Sequence, residues 1–90
     1  LLDDAAQRSG QPRAQLQVRT VQSVVWPDGA MGCPQPGRMY TQALIPGWLI
    51  EVGAPGAAAL RYHASQRGAW LHCPAARAQA PLPGTEEAQK

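Results

Sequence analysis

Residues 58–73 read AALRYHASQRGAWLHC, two runs of alternating side chains around a short polar turn, and they set the architecture. Leu60, Tyr62 and Ala64 alternate with Arg61 and His63, Gln66-Arg67-Gly68 turns the chain, and 69–73 (AWLHC) brings it back as a second strand. Pairing Ser65 with Gly68 puts Tyr62 opposite Leu71, Leu60 opposite Cys73 and His63 opposite Trp70. In that register Cys73 faces the core, while Arg61, His63, Trp70 and His72 share the other face as a solvated or contact surface.

Upstream, Trp48, Ile50 and Val52 alternate with Leu49 and Glu51, which predicts another strand. Pro46-Gly47 suits the centre of a type II turn, and 39–45 (MYTQALI) reads as the strand before it. Residues 27–37, PDGAMGCPQPG, hold three Pro, three Gly and a Cys, which makes a loop stiffened by proline. Before it, 16–26 (LQVRTVQSVVW) is rich in β-branched residues but changes phase, predicting one strand with a bulge near Thr20 to Gln22. Residues 1–10, LLDDAAQRSG, place two acids first, Arg8 late and Gly10 at the stop, the ordering of a short helix. The fold class that follows is α+β, a short N-terminal helix on an antiparallel meander of four or five strands. One domain is expected over 1–73, with 74–90 (PAARAQAPLPGTEEAQK) a flexible Ala/Pro-rich tail.

Ninety residues suffice for one small domain. Sixteen are Ala and eighteen are Gly or Pro, so the core is thin and a helical bundle is disfavoured. The net charge of +2 comes from scattered Arg residues without interleaved aromatics, which argues against a nucleic-acid partner. No run approaches the roughly 20 apolar residues of a membrane span. Leu1-Leu2-Asp3-Asp4 is not a signal peptide, and a leader of an exported protein would lie outside this sequence. Cys33 and Cys73 are compatible with one disulfide, a reduced pair or half a metal site. The disulfide is favoured, because closing a loop of that length is worth about 4 kcal/mol to a thin core. There is no Cys-x-x-Cys, so thioredoxin-like redox chemistry is disfavoured.

The segments Trp26-Pro27-Asp28, Gly32-Cys33-Pro34-Gln35-Pro36-Gly37, Tyr40-Thr41-Gln42, Pro46-Gly47, Tyr62-His63-Ala64 and Cys73 together resemble a family of small exported bacterial domains of uncharacterised function. The resemblance covers about residues 2–73. It departs from the usual pattern at Ala30-Met31, in the Ala-rich turn 57–59 and in the short turn 65–68. Members usually follow a secretion or lipoprotein signal. The resemblance therefore implies an extracytoplasmic bacterial protein, periplasmic, envelope-anchored or secreted, with a lipid anchor in the parent chain as one form. It also implies a Cys33–Cys73 bridge, and it supplies no activity.

Loop 27–39 is the most distinctive feature, rigid by proline and tethered by Cys33, as a preorganised binding loop is. Its candidate contact residues are Asp28, Met31, Gln35 and Arg38, joined by Arg61, His63, Trp70 and His72 on the final hairpin. The bland alternative for the loop is that Asp28 and Gln35 cap turns while Trp26 packs; Trp26 and Trp48 are read as core, and Trp70 is open between rim aromatic and partner anchor. His63 and His72, diagonal across the final hairpin on that shared face, lie close enough for a two-histidine metal site with Glu51 on the adjacent strand, but such histidines are more often surface or partner-packing residues and no metal is assigned. Ser23, Ser65, Cys33, His63, His72 and Asp28 are the available catalytic groups, and no nucleophile elbow or phosphate loop organises them. The expected function is a non-enzymatic module that binds an unidentified protein partner, without a cofactor. The alternative is an exported protease inhibitor offering Met31 or Arg38 from the same loop.

Overall fold

A computed structural model describes residues 1–82. The elements are helix α1 (Leu2–Ser9), a 3-10 turn (Arg13–Gln15), and strands β1 (Gln17–Trp26), β2 (Ile45–Gly53), β3 (Leu60–Ser65) and β4 (Trp70–His72). The strands form one antiparallel sheet in the order β1-β2-β3-β4, so the expected α+β meander has four strands.

Helix α1 forms for local reasons. Asp3 and Asp4 occupy its first turn, Arg8 reaches back to Asp4 (Nε to Oδ2, 2.7 Å), and Gly10 at φ 71° closes it through its N–H to the Ala6 carbonyl. Its buried residue, Ala5, packs with Leu16, Val52, Ala54 and Tyr62 in one apolar cluster. The second cluster, Val24, Trp26 and Met31 with Ile45, Leu49 and Leu71 around it, lies on the opposite face of the sheet. The sheet is therefore covered by the helix on one side and by the segment between β1 and β2 on the other.

Four sequence expectations are corrected in detail. Residues 39–44 are not a strand: Met39 is 97% and Leu44 62% exposed, and β2 starts at Ile45 and runs straight through Pro46-Gly47. Proline is tolerated there because its carbonyl accepts Gln66 N–H (2.9 Å), so its missing N–H faces the side where the β3 ladder ends. The β1 bulge falls between Val18 and Thr20, two residues earlier than expected, and the extra residue, Arg19, bonds the carbonyls of Ala54 and Ala57.

Third, the last hairpin is shifted by one. Ser65 N–H bonds Ala69 O and Gly68, at φ 104°, bonds Ser65 O, a three-residue turn with a glycine bulge. The pairs are Tyr62 with His72, His63 with Leu71 and Ala64 with Trp70. Because side chains alternate, this shift exchanges the faces of β4 relative to β3. Fourth, Trp48 is half-buried and stands on the helix side with Ile50 and Val52, outside both clusters.

Cys33 and Cys73 form a disulfide with their Cα atoms 5.8 Å apart. Residues 74–82, expected in the tail, carry backbone bonds: Arg77 and Ala78 to Pro74 O, Gln79 to Gly32 O and Leu82 to Val25 O. The rest of that expected tail, 83–90, lies outside the described residues.

Candidate functional site

The segment 27–44 is irregular yet fixed at several points. Asp28 Oδ1 accepts the Ala30 N–H (2.9 Å), Met31 N–H reaches Asp28 O, Cys33 N–H reaches Ala30 O, and Gly29 N–H ties back to Thr41 O at 2.8 Å. Met31 takes a left-handed conformation (φ 52°) and Gly32 follows at φ 71°. A Cβ at Gly32 would sit 2.6 Å from the Trp26 ring, so only glycine lets the loop lie on that indole. Gln35-Pro36-Gly37-Arg38 is a turn closed by Arg38 N–H to Gln35 O, with Gly37 at φ 78°, and Tyr40 Oη receives the Gln35 N–H.

Beneath the loop, Trp26 is fully buried, donates Nε1–H to Ala64 O (3.1 Å) and stacks on His63 with ring centroids 4.3 Å apart. The His63 ring has no exposed surface, and both its nitrogens are engaged: Nδ1 lies 2.5 Å from the Met31 carbonyl and Nε2 2.7 Å from Arg61 Nε. Burial first, and the Arg61 charge after it, push its pKa down to about 4, against the opposing pull of the Met31 carbonyl. His63 is a neutral strut under the loop.

The helix side holds a different polar group. Tyr62 Oη–H donates to Asp4 Oδ2 (2.6 Å), the same oxygen that receives Arg8 Nε–H. The Tyr62 and Arg8 bonds hold the Asp4 carboxyl below its usual pKa, and burial raises that of the Tyr62 phenol. His72 and Trp70 flank Tyr62 edge-on at 5.6 and 5.8 Å, and burial lowers the His72 pKa.

The eight candidate contact residues therefore split into groups instead of forming one surface. Asp28, Met31, Gln35 and Arg38 belong to the loop, Arg61 and His63 lie beneath it, and Trp70 and His72 stand on the helix side. Met31 is buried at 7% exposure and His63 is wholly buried, so neither is presented outward, whereas Arg38 is exposed. His63 and His72 point to opposite faces and cannot share a metal. Among the described residues no group of three His, Cys, Asp or Glu is placed to hold one.

Asp4, Arg8, Met39, Leu44 and Arg67 are not among the candidate contact residues that the sequence offers. The Asp4/Arg8 spacing of four was a readable signal; the exposure of Met39 and Leu44 was not, because both looked like strand residues. A groove of about 540 Å³ runs between Gly29, Met31, Leu44 and Ile45 on one wall and the turn 65–69 on the other, with exposed Arg67 on that turn.

A family model described as a domain of unknown function matches residues 1–73, from the helix to the disulfide. The chain belongs to the DUF8738 family. No curated protein and no solved structure matches it. In this DUF8738 domain, no helix among the described residues is long and apolar enough to cross a membrane.

Proposed function

We propose that this DUF8738 domain is a non-enzymatic protein-binding module of an extracytoplasmic bacterial protein, and that it engages its partner through the outer surface of segment 27–44. The observation that carries the reading is the contrast within that segment. Its inner side is pinned by the disulfide, by the Trp26 and His63 rings and by Met31, yet Arg38 and Met39 (97% exposed) are exposed and Leu44 (62% exposed) lines a largely apolar groove. Exposed apolar side chains on a fixed loop are what a preorganised interface offers. A disulfide of this kind is at home in an oxidising compartment, which supports the extracytoplasmic assignment together with the resemblance to exported domains.

The inhibitor reading is weaker on geometry. A substrate-like loop holds its reactive residue extended, whereas Met31 is buried and Arg38 sits at the exit of the Pro36-Gly37 turn. The test is capture from the extracytoplasmic fraction of the source bacterium, comparing the oxidised wild type with Met39→Ser/Leu44→Ser. A species held by the wild type and lost by the folded double variant supports the reading; equal capture by both, or none, refutes it.

A further inference from the structure

We propose that His63 is an acid-operated latch on segment 27–44: uptake of one proton at Nε2 turns its contact with Arg61 repulsive, dislodges the ring that holds Met31, and lets the segment leave the sheet. The inference adds a mode of regulation and rests on the reading of that segment as the binding surface.

The tautomer follows from the neighbours. An arginine Nε–H only donates, so His63 Nε2, 2.7 Å away, is the unprotonated nitrogen, and the ring proton sits on Nδ1 facing the Met31 carbonyl. An incoming proton has one place to go, Nε2, where it meets a guanidinium. An accepted hydrogen bond becomes two opposed donors and two like charges in contact. The ring cannot turn toward water without sliding off Trp26, which it covers at 4.3 Å.

Among the described residues no carboxylate is hydrogen-bonded to the ring, whose two nitrogens are taken by the Met31 carbonyl and Arg61. On β2, Glu51 lies opposite Arg61 and accepts the Thr20 hydroxyl, and in the loop Asp28 is committed to the Ala30 N–H. On β1, Gln22, Val24 and Trp26 face this side without charge, and β4 supplies Leu71. Among the described residues, Arg61 on β3 is the charge that acts on the ring.

The size of the effect follows from linkage. A ring that titrates near 4 when latched and near 6.5 when released is more often released at lower pH. Between pH 7 and pH 5 the ratio of open to latched segment rises roughly 20-fold.

Hydrogen exchange on the oxidised full chain reads this directly, after correction for the intrinsic pH dependence of exchange. The reporters are the contacts that cross out of the segment, read at the Gln79 amide, which bonds the Gly32 carbonyl, against β2 amides as controls. We expect their opening to rise roughly 20-fold from pH 7 to pH 5, with β2 unchanged and the rise coinciding with a one-proton titration of the His63 ring by NMR. His63→Gln, which can donate and accept without titrating, should abolish the rise. Arg61→Leu, which leaves the ring in place, should reduce it and covers the case in which His63→Gln does not fold. Equal protection at both pH values, an undiminished rise in the folded variants, or an equal rise in β2 would overturn the latch. Because no partner enters this measurement, failure of the binding reading is seen separately, in the capture comparison at pH 7.

Discussion

The indole Nε1–H of Trp26 on β1 donates to the carbonyl of Ala64 on β3, passing the strand between them where Gly47 has no side chain. A Cβ on Gly47 would lie 1.9 Å from that same carbonyl oxygen. This explains why a Pro-Gly pair that looks like a turn is instead strand interior.

Gly47→Ala should therefore destabilise the domain by about 3 kcal/mol, at the upper end of the usual cost of overpacking. Urea unfolding measures the loss, and the Trp26 indole proton should shift as its bond breaks. A variant within about 0.5 kcal/mol of wild type would show that β2 and β3 do not approach this closely.

The Cys33–Cys73 bridge spans a sequence separation of 40, and removing it with paired Cys→Ser changes should cost about 4 kcal/mol. The loss should appear in the midpoint of denaturant unfolding and, first, in the exchange of segment 27–44. A reduced protein as stable as the oxidised one would place the anchoring of the segment elsewhere.

Tyr62→Phe removes the hydroxyl that Asp4 accepts. The Asp4 carboxyl, held below its ordinary value, contributes stability that is present above the unfolded pKa near 3.8 and is lost as pH falls through the folded value. The variant should thus lower the melting temperature more at pH 7 than at pH 3, and NMR should show Asp4 titrating higher. An equal loss at both pH values would mean that the phenol contributes by packing alone.

A panel of serine proteases should not be inhibited by micromolar oxidised domain, because Met31 is buried and Arg38 closes a turn through its N–H to Gln35 O. Potent inhibition abolished by Arg38→Ala would replace the binding reading with the inhibitor reading.

The hairpin shows how far the sequence was legible. Alternation in 60–64 and 69–73 was sufficient to predict two antiparallel strands, and Gln66-Arg67-Gly68 to predict the turn between them. Alternation cannot count the residues in a turn, and the glycine bulge at Gly68 moved the register by one. That slip put His63 on a surface with Trp70, when the ring is buried under Met31 on the opposite face. Loop 27–37 was readable from its prolines and glycines, but its extension to residue 44 was not. Tyr40 and Thr41 are good strand residues that serve here to tie the loop down through Gln35 and Gly29.

An oxidised Cys33–Cys73 bridge holds segment 27–44 to the sheet, and intact mass after alkylation without reductant, on protein taken from its native compartment, tests it most directly. The prediction is a mass short by two hydrogens with no alkyl group added. Two alkyl groups would contradict it, leaving the segment without its covalent anchor and the proposed extracytoplasmic location without its chemical support.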